Sequence, residues 1–375
     1  MTNLTKKSLL NSLALAKKFC DKAIPFVQIS IDYNKMNVKV FGDVNYSCDF
    51  TLPEPINQAI ITFADISDLT NLIRSIPGES IFLSVQDDKI HVTDSDRMVS
   101  SSFGESRDEV TFDFIMPDSM KAKTVNFEPG ELQKILGKIA HAMSKEDVRY
   151  YLNGIYFDLQ SHKIVAANGH VMAIADYTFE SMDEISNFIL PRQAIEGILS
   201  SSFPKTAPVS LTTDGHRIVL TCQDHFIVSK TVEDNFPKYH RIIKTEAIKT
   251  EPIENWVAAS HGEKITFQRS TLLKALKAMK AGKNDTVKIT FLADNMAELS
   301  KGALTYKVSA KITDSPEKPI DYIGFNVKYL ISVAEVLESD NLVMSPTLYQ
   351  NSIYPTDPII IADNQVYQVL MPCRI

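Results

Sequence analysis

PGELQKILGKIAHAMS, residues 129–144, decides how this chain is built. Leu132, Leu136, Ile139 and Met143 follow one another at spacings of four, three and four, which places them on one face of a helix. Lys134, Lys138, His141 and Lys145 fall on the opposite face. The same rhythm recurs on either side. Residues 6–20 carry Leu9, Leu13, Ala16 and Cys20 inward, with Lys7, Asn11 and Lys18 outward. RSTLLKALKAMKAGK, residues 269–283, carries Leu272, Leu276 and Met279 inward, with Ser270, Lys274 and Lys277 outward.

Each of these helices is followed, some 60 residues on, by a second one: DISDLTNLIRSIPG (65–78), PRQAIEGILSSSFP (191–204) and NVKYLISVAEVLES (326–339). Pro191 suits a first helical turn, and Pro77-Gly78 suits a helix stop. The stretches between are strands by their period-two alternation, as in GIYFDLQSHKIVAANGH (154–170) and TVKITFLADNMAELSKG (286–302), with turns at Asp87-Asp88 and Asp214-Gly215. The unit of helix, antiparallel strands, helix and more strands therefore repeats three times. The fold class is α+β, with domains over 1–123, 124–249 and 250–375, the second boundary falling in the linker-like TEAIKTEPIEN.

The composition is that of a soluble chain: 375 residues, 44% of them hydrophobic, enough for two to four domains that each bury a core. With 39 Lys and Arg against 46 Asp and Glu, the net charge of -7 argues, taken as a total, against a nucleic-acid partner; its distribution decides the matter. Cys20, Cys48, Cys222 and Cys373 form no C-x-x-C pair, which excludes a zinc knuckle and a disulfide framework and favours the cytoplasm. No apolar run is long enough to span a membrane.

Catalytic constellations are thin. Ala281-Gly282-Lys283-Asn284 lacks the upstream glycine and the Ser or Thr of a phosphate loop. The eight histidines show no ligand spacing; His216 with His225, or His162 with His170, are the nearest to a metal pair, and surface or turn positions account for them more simply. Asp94 with Asp96, and Asp183 with Glu184, sit in ordinary turn chemistry. No catalytic residue, metal site or cofactor is expected. A chain of this size without a legible active site points to a binding or scaffold protein.

Five segments are more specific. RYYLNGIYFD (149–158), AANGHVMAIADY (166–177), ILPRQAIEGI (189–198), NFPKYHRII (235–243) and the chain end YQVLMPCRI (367–375) together resemble, in order and spacing, the bacterial DNA polymerase III beta subunits, the sliding clamps. The resemblance spans the chain and is strongest over 129–243 and the last ten residues. It implies three similar clamp-type domains, each with two helices packed on antiparallel sheet, and a head-to-tail homodimer forming a closed ring around double-stranded DNA without sequence preference. It further implies that the chain is no enzyme but a processivity factor acting by tethering.

The same resemblance implies a groove for short linear peptides of the polymerase III alpha subunit, the clamp loader, other polymerases and repair proteins. Its residues would be Leu152, Gly169, His170, Val171, Met172, Pro237, Arg241, Ile242, Val369, Met371, Pro372, Cys373, Arg374 and Ile375. Val171 and Met172 stand where the family often has Arg-Leu, Asn168 where Asp is usual, and Cys373 and Ile375 where Met and Leu are usual, which alters peptide preference. For DNA, the cations and tyrosines expected to face the duplex are Lys18, Lys22, Arg74, Lys134, Lys138, Lys145, Arg149, Tyr150, Tyr151, Arg192, Lys274 and Lys277. Two other readings stand beside this one: a repeat-built interaction module that does not touch DNA, and a small-molecule hydrolase or transferase centred on His170 and Asp176.

Overall fold

The computed structural model describes residues 2–375 other than 24, 105–113, 146, 181, 183, 243–252, 254–263, 281–284, 314–320, 347–356, 364 and 365. The expected boundary near residue 250, Asp183 and the Ala281-to-Asn284 stretch thus lie outside the described residues.

Six α-helices occur among the described residues, at the repeat positions. Helix α1 (Lys6–Phe19) begins at a capping box, in which the Ser8 backbone N–H donates to the Thr5 hydroxyl and the Thr5 N–H donates to Ser8 Oγ. Leu9, Leu13 and Ala16 are buried as expected; Cys20 is the extended residue that ends the helix, and Phe19 takes the last inward place. In α2 (Ile66–Ser75) the Asp65 carboxylate accepts from the Ser67 and Asp68 N–H groups at 2.7 and 3.0 Å. Helix α3 (Glu131–Ile139) is shorter than its periodicity predicts and tightens into a 3-10 turn over Ala140–Ala142.

Helix α4 (Arg192–Ile198) starts one residue after Pro191, which occupies the cap position. Its Gly197 lies against the Phe19 ring of α1, where a β-carbon would overlap the ring carbons, so only glycine permits this approach. Helix α5 (Arg269–Ala278) buries Leu272, Leu276 and Met279 and exposes Ser270, Lys274 and Lys277, as its periodicity predicts. It packs on α6 (Val327–Glu335), which is capped by Asn326.

The described residues divide into two compact units, 1–134 with 180–233, and 135–179 with 234–375. In the first unit, Phe26–Val40 pairs with Val44–Asp65, and the sheet continues antiparallel through His225–Lys230, Arg217–Cys222, Val209–Thr213 and Lys123–Phe127. A separate three-stranded sheet holds Phe82–Gln86, Lys89–Thr93 and Ser100–Phe103. Its first turn has both Asp87 and Asp88 at positive φ, 51° and 53°, the two-residue hairpin anticipated there.

In the second unit an antiparallel sheet runs Gly154–Asp158, Lys163–Ala167, Val171–Asp176, Val366–Leu370, Ile359–Ala362, Asn341–Pro346 and Lys264–Gln268. It then passes through Leu304–Thr313, Met296–Lys301 and Thr286–Leu292 to Tyr322–Asn326. The stretch 124–249 therefore supplies strands to both units: sheet hydrogen bonding joins its strands to those of the flanking repeats.

Candidate partner-peptide site

The chain end is built into the second unit as a strand. Val366–Leu370 pairs with Val171–Asp176 in a register that sets Val171 opposite Leu370 and Met172 opposite Val369. Met172 and Val369 then join Val165, Ile174, Tyr239, Ile253, Ile360 and Tyr367 in one buried apolar cluster. Before the first of these strands, Asn168 Oδ1 accepts from the backbone N–H groups of both His170 and Val171 at 2.9 Å, and Gly169 between them takes φ +85°. A β-carbon at Gly169 would lie 3.2 Å from the Arg149 guanidinium, so the turn and Arg149 sit side by side.

Beyond the strand the tail remains fastened. The Met371 N–H donates to the His170 carbonyl at 2.9 Å, and the Cys373 N–H donates to the Gly324 carbonyl at 2.8 Å. Gly324 has no room for a side chain, since a β-carbon there would come within 2.6 Å of Ile375 Cγ1. Met371, Arg374 and Ile375 are exposed, while Pro372 and Cys373 are half-buried. His170 is exposed and stacks on Tyr329 with ring centroids 5.3 Å apart.

The third contributor, Pro237–Ile242, is held by side chains. Tyr239 opens a 3-10 turn and is buried, and its hydroxyl donates to Asp158 Oδ2 at 2.9 Å. Burial first, and then the Asp158 charge, push the phenol pKa well above its ordinary value, so it stays a donor. Phe236 stacks on Tyr156 at 4.7 Å and anchors the other end. Pro237, Arg241 and Ile242 remain exposed.

The structure thus brings the predicted groups to one unit but in two layers. Leu152, Val171, Met172 and Val369, expected as pocket walls, are core residues of 2–5% exposure because sheet pairing covers them. Around them Gly169, His170, Pro237, Arg241, Ile242, Met371, Arg374 and Ile375 form an exposed set. Val165, Ile174, Tyr239, Ile360 and Tyr367 were not anticipated. Tyr239 lies inside the NFPKYHRII motif, and its place next to a prolyl turn was the available signal.

Of the residues expected to face DNA, Lys18, Lys22, Arg74, Lys134, Lys145, Arg149, Tyr150, Lys274 and Lys277 are exposed. Lys138 is a correction: it is 8% exposed, and its ammonium lies 2.8 Å from Glu338 Oε1. Its neighbour His141, also expected outward, is mostly buried, with its pKa lowered to about 4 by loss of solvent. Lys277 pairs with Glu335 at 2.7 Å, half-buried Arg192 with Glu196 at 2.7 Å, and Arg149 with Asp147 at 2.7 Å. The Arg149 hydrogen bonds hold the Asp147 carboxyl down at about 2. Tyr151 is half-buried and meets the Phe236 ring edge-on at 6.4 Å, which ties it to the peptide site.

The remaining candidate constellations resolve into structure. His225, imagined with His216 as a metal pair, is buried in a chain of contacts in which Ser12 Oγ, Tyr46 OH and His225 Nδ1 follow at 3.0 and 2.8 Å. Asp94 accepts from the Met98 and Val99 N–H groups, which is turn chemistry. His170 and Asp176 occupy opposite ends of one strand, about 20 Å apart at 3.3 Å per residue, too far to share a reacting group.

Paired helices on antiparallel sheets, with an exposed rim around a buried apolar floor at the chain end, make this part of the second unit a candidate binding surface. Residues 126–238 match the family described as DNA polymerase III beta subunit, central domain. The beta sliding clamp of Vibrio cholerae is 27% identical over 256 residues, covering 67% of this chain and 65% of that protein, just under two thirds of its length. The DNA polymerase III beta subunit of Pseudomonas aeruginosa superposes with a TM-score of 0.79 at 18% identity, covering 100% of both chains. The sliding clamp of Bartonella birtlesii, solved bound to griselimycin, gives 0.78 at 21% identity over 99% of each. Over residues 126–238 the chain thus matches the central domain of the DNA polymerase III beta subunit family, and over its full length it shares the fold of solved sliding clamps.

Proposed function

We propose that the protein is a DNA polymerase processivity factor, a ring-forming sliding clamp that encircles duplex DNA and tethers polymerase through the site at its chain end. The observation that supports this reading is the superposition on a polymerase III beta subunit over the full length of both chains. A topological link asks for no base readout and no chemistry, and it raises the local concentration of whatever it tethers.

In this reading two chains close head to tail, and Lys18, Lys22, Arg74, Lys134, Lys145, Lys274 and Lys277 contribute a basic lining that attracts phosphates in a salt-dependent way. The net negative charge then belongs to the outer surface, where it discourages DNA from binding elsewhere. The polymerase III alpha subunit, the clamp loader and repair proteins would each present a short peptide to the exposed rim over Met172 and Val369. Griselimycin, with which the Bartonella clamp was solved, would in this reading compete with those peptides.

The test is loading onto a nicked circular plasmid with the cognate clamp loader, followed by linearisation. A clamp is retained on circles and lost from the ends of linear DNA. Equal retention on both forms would refute the ring and favour an interaction module that does not encircle DNA.

A further inference from the structure

The strand pairing that builds the chain-end site occurs a second time, in the first compact unit. Val171 opposite Leu370 and Met172 opposite Val369 are matched there by Val44 opposite Ser229 and Asn45 opposite Val228. In both places a glycine stands two residues before the first valine, Gly169 in one and Gly42 in the other. In both places a connecting segment borders the pair, through Tyr239 in one and Ile115 in the other. A repeated fold sets equivalent segments at each of its junctions, so the geometry of one groove recurs at the next.

What differs is the chemistry. The pair in the first unit borders a cavity of about 330 Å³, whose lining reaches the surface at exposed Ile115 and Lys230. Phe41 and Ile115 give it apolar walls, and Asn45 stands where the chain-end site has Met172. Arg217 and Lys230 are opposite each other on adjoining strands, and both line this cavity and a second one of about 440 Å³. The Arg217 Nε is buried and has no hydrogen-bond partner among the described residues. Of the carboxylates nearby, Asp214 is taken up by the backbone N–H groups of Asp118, His216 and Arg217, while Asp43 and Glu233 stand exposed at the margins. A buried guanidinium N–H without an acceptor is costly, and an incoming carboxylate would satisfy it with a charge-assisted bond. We propose that this cavity is a second peptide groove, one that takes an acidic segment of a partner protein, with an apolar side chain against Phe41 and Ile115 and a carboxylate on Arg217 and Lys230. It rests on the clamp reading above only through its likeness to the chain-end site.

The experiment measures, by fluorescence anisotropy on the full-length protein, binding of a fluorescein-labelled hexapeptide made of two glutamates, leucine, phenylalanine and two glutamates. Its control carries glutamine for every glutamate and is expected to bind at least about tenfold more weakly. Arg217→Gln and Lys230→Gln should each weaken the acidic peptide by about tenfold, and Arg217→Lys should recover part of that loss. Methyl NMR signals of Ile115 and Val228 in the unsubstituted protein should shift when the acidic peptide is added, a readout that does not depend on any variant folding. Saturating griselimycin should leave the affinity unchanged. Absence of binding, equal binding of the two peptides, methyl signals that stay in place, or displacement by griselimycin would each overturn the proposal. Displacement of the peptide by a short DNA duplex would assign the two cations to phosphates and overturn it as well. None of these results touches the clamp reading, because the plasmid-loading assay tests the ring on its own.

Discussion

Two parts of the candidate site are held in place by different physics. The floor, strands Val171–Asp176 and Val366–Leu370, is fixed by backbone hydrogen bonds along five paired positions, with Met172 and Val369 buried. The Pro237–Ile242 side shows no strand pairing among the described residues; the Tyr239 hydroxyl, the Phe236 stack and a 3-10 turn are among the contacts that hold it. A ladder is rigid because every backbone group in it is satisfied at once, whereas a segment held through its side chains adjusts as those contacts do. For the proposed peptide site the pairing provides a fixed apolar floor beneath an adjustable edge, the combination that peptides of varied sequence would require.

The largest way to break this contrast is a charge in the floor. Val369→Asp buries a carboxylate with no partner and is expected to cost at least about 3 kcal/mol, seen as a large drop in the urea midpoint with peptide binding lost alongside.

Acid reaches the same floor through His141, whose 3-10 turn packs on strands Lys163–Ala167 and Val171–Asp176. His141 and His225 both have folded pKa values lowered to about 4 from 6.5, chiefly by burial. Folding therefore favours the neutral ring. Its stabilisation is present in full above pH 6.5 and is lost as the pH falls from 6.5 towards 4, by about 2 kcal/mol for each histidine at pH 5. Urea titrations at pH 7.5 and 5 check this, and His141→Gln should flatten the dependence by about half.

On the other side of the comparison, Tyr239→Phe removes only the hydrogen bond to Asp158. It is expected to lower stability by about 1 kcal/mol while loosening the Pro237–Ile242 edge, so peptide affinity should fall several-fold with the melting temperature changed little. Isothermal titration with the alpha-subunit peptide separates the two effects.

Smallest in stability is deletion of Met371–Ile375, which leaves the ladder Val366–Leu370 intact. The melting temperature should move within about 0.5 kcal/mol equivalent, yet peptide binding should disappear, and size-exclusion chromatography should still give a dimer. A monomer after this deletion would show the tail to be part of the subunit contact.

Much of this molecule was legible from spacing. The inward rows of α1, α3 and α5, the hairpin at Asp87-Asp88 and the place of the second helices follow from period and turn chemistry, because burial of one helical face is a local consequence of sequence. Lys138 was misplaced for a specific reason. Periodicity assigns a face but does not know that Glu338, 200 residues later, is waiting there. Cys20 and the end of α3 were misjudged because helix ends are set by caps and packing, to which a 4-3-4 rhythm is blind.

The sequence by itself determined the helix rhythm, the α+β class and the motifs from which the candidate peptide site is built, since each depends on residues near one another in the chain. Only the tertiary structure decided that the site has a buried floor and an exposed rim, that strands of the middle repeat join the sheets of both neighbours, and that Ile253 lies in the apolar cluster. The reason is physical: strand pairing and burial are contracts between distant segments, here residues 171–176 with 366–370 and Asp176 with Ile253, and no local pattern of side chains names the other party.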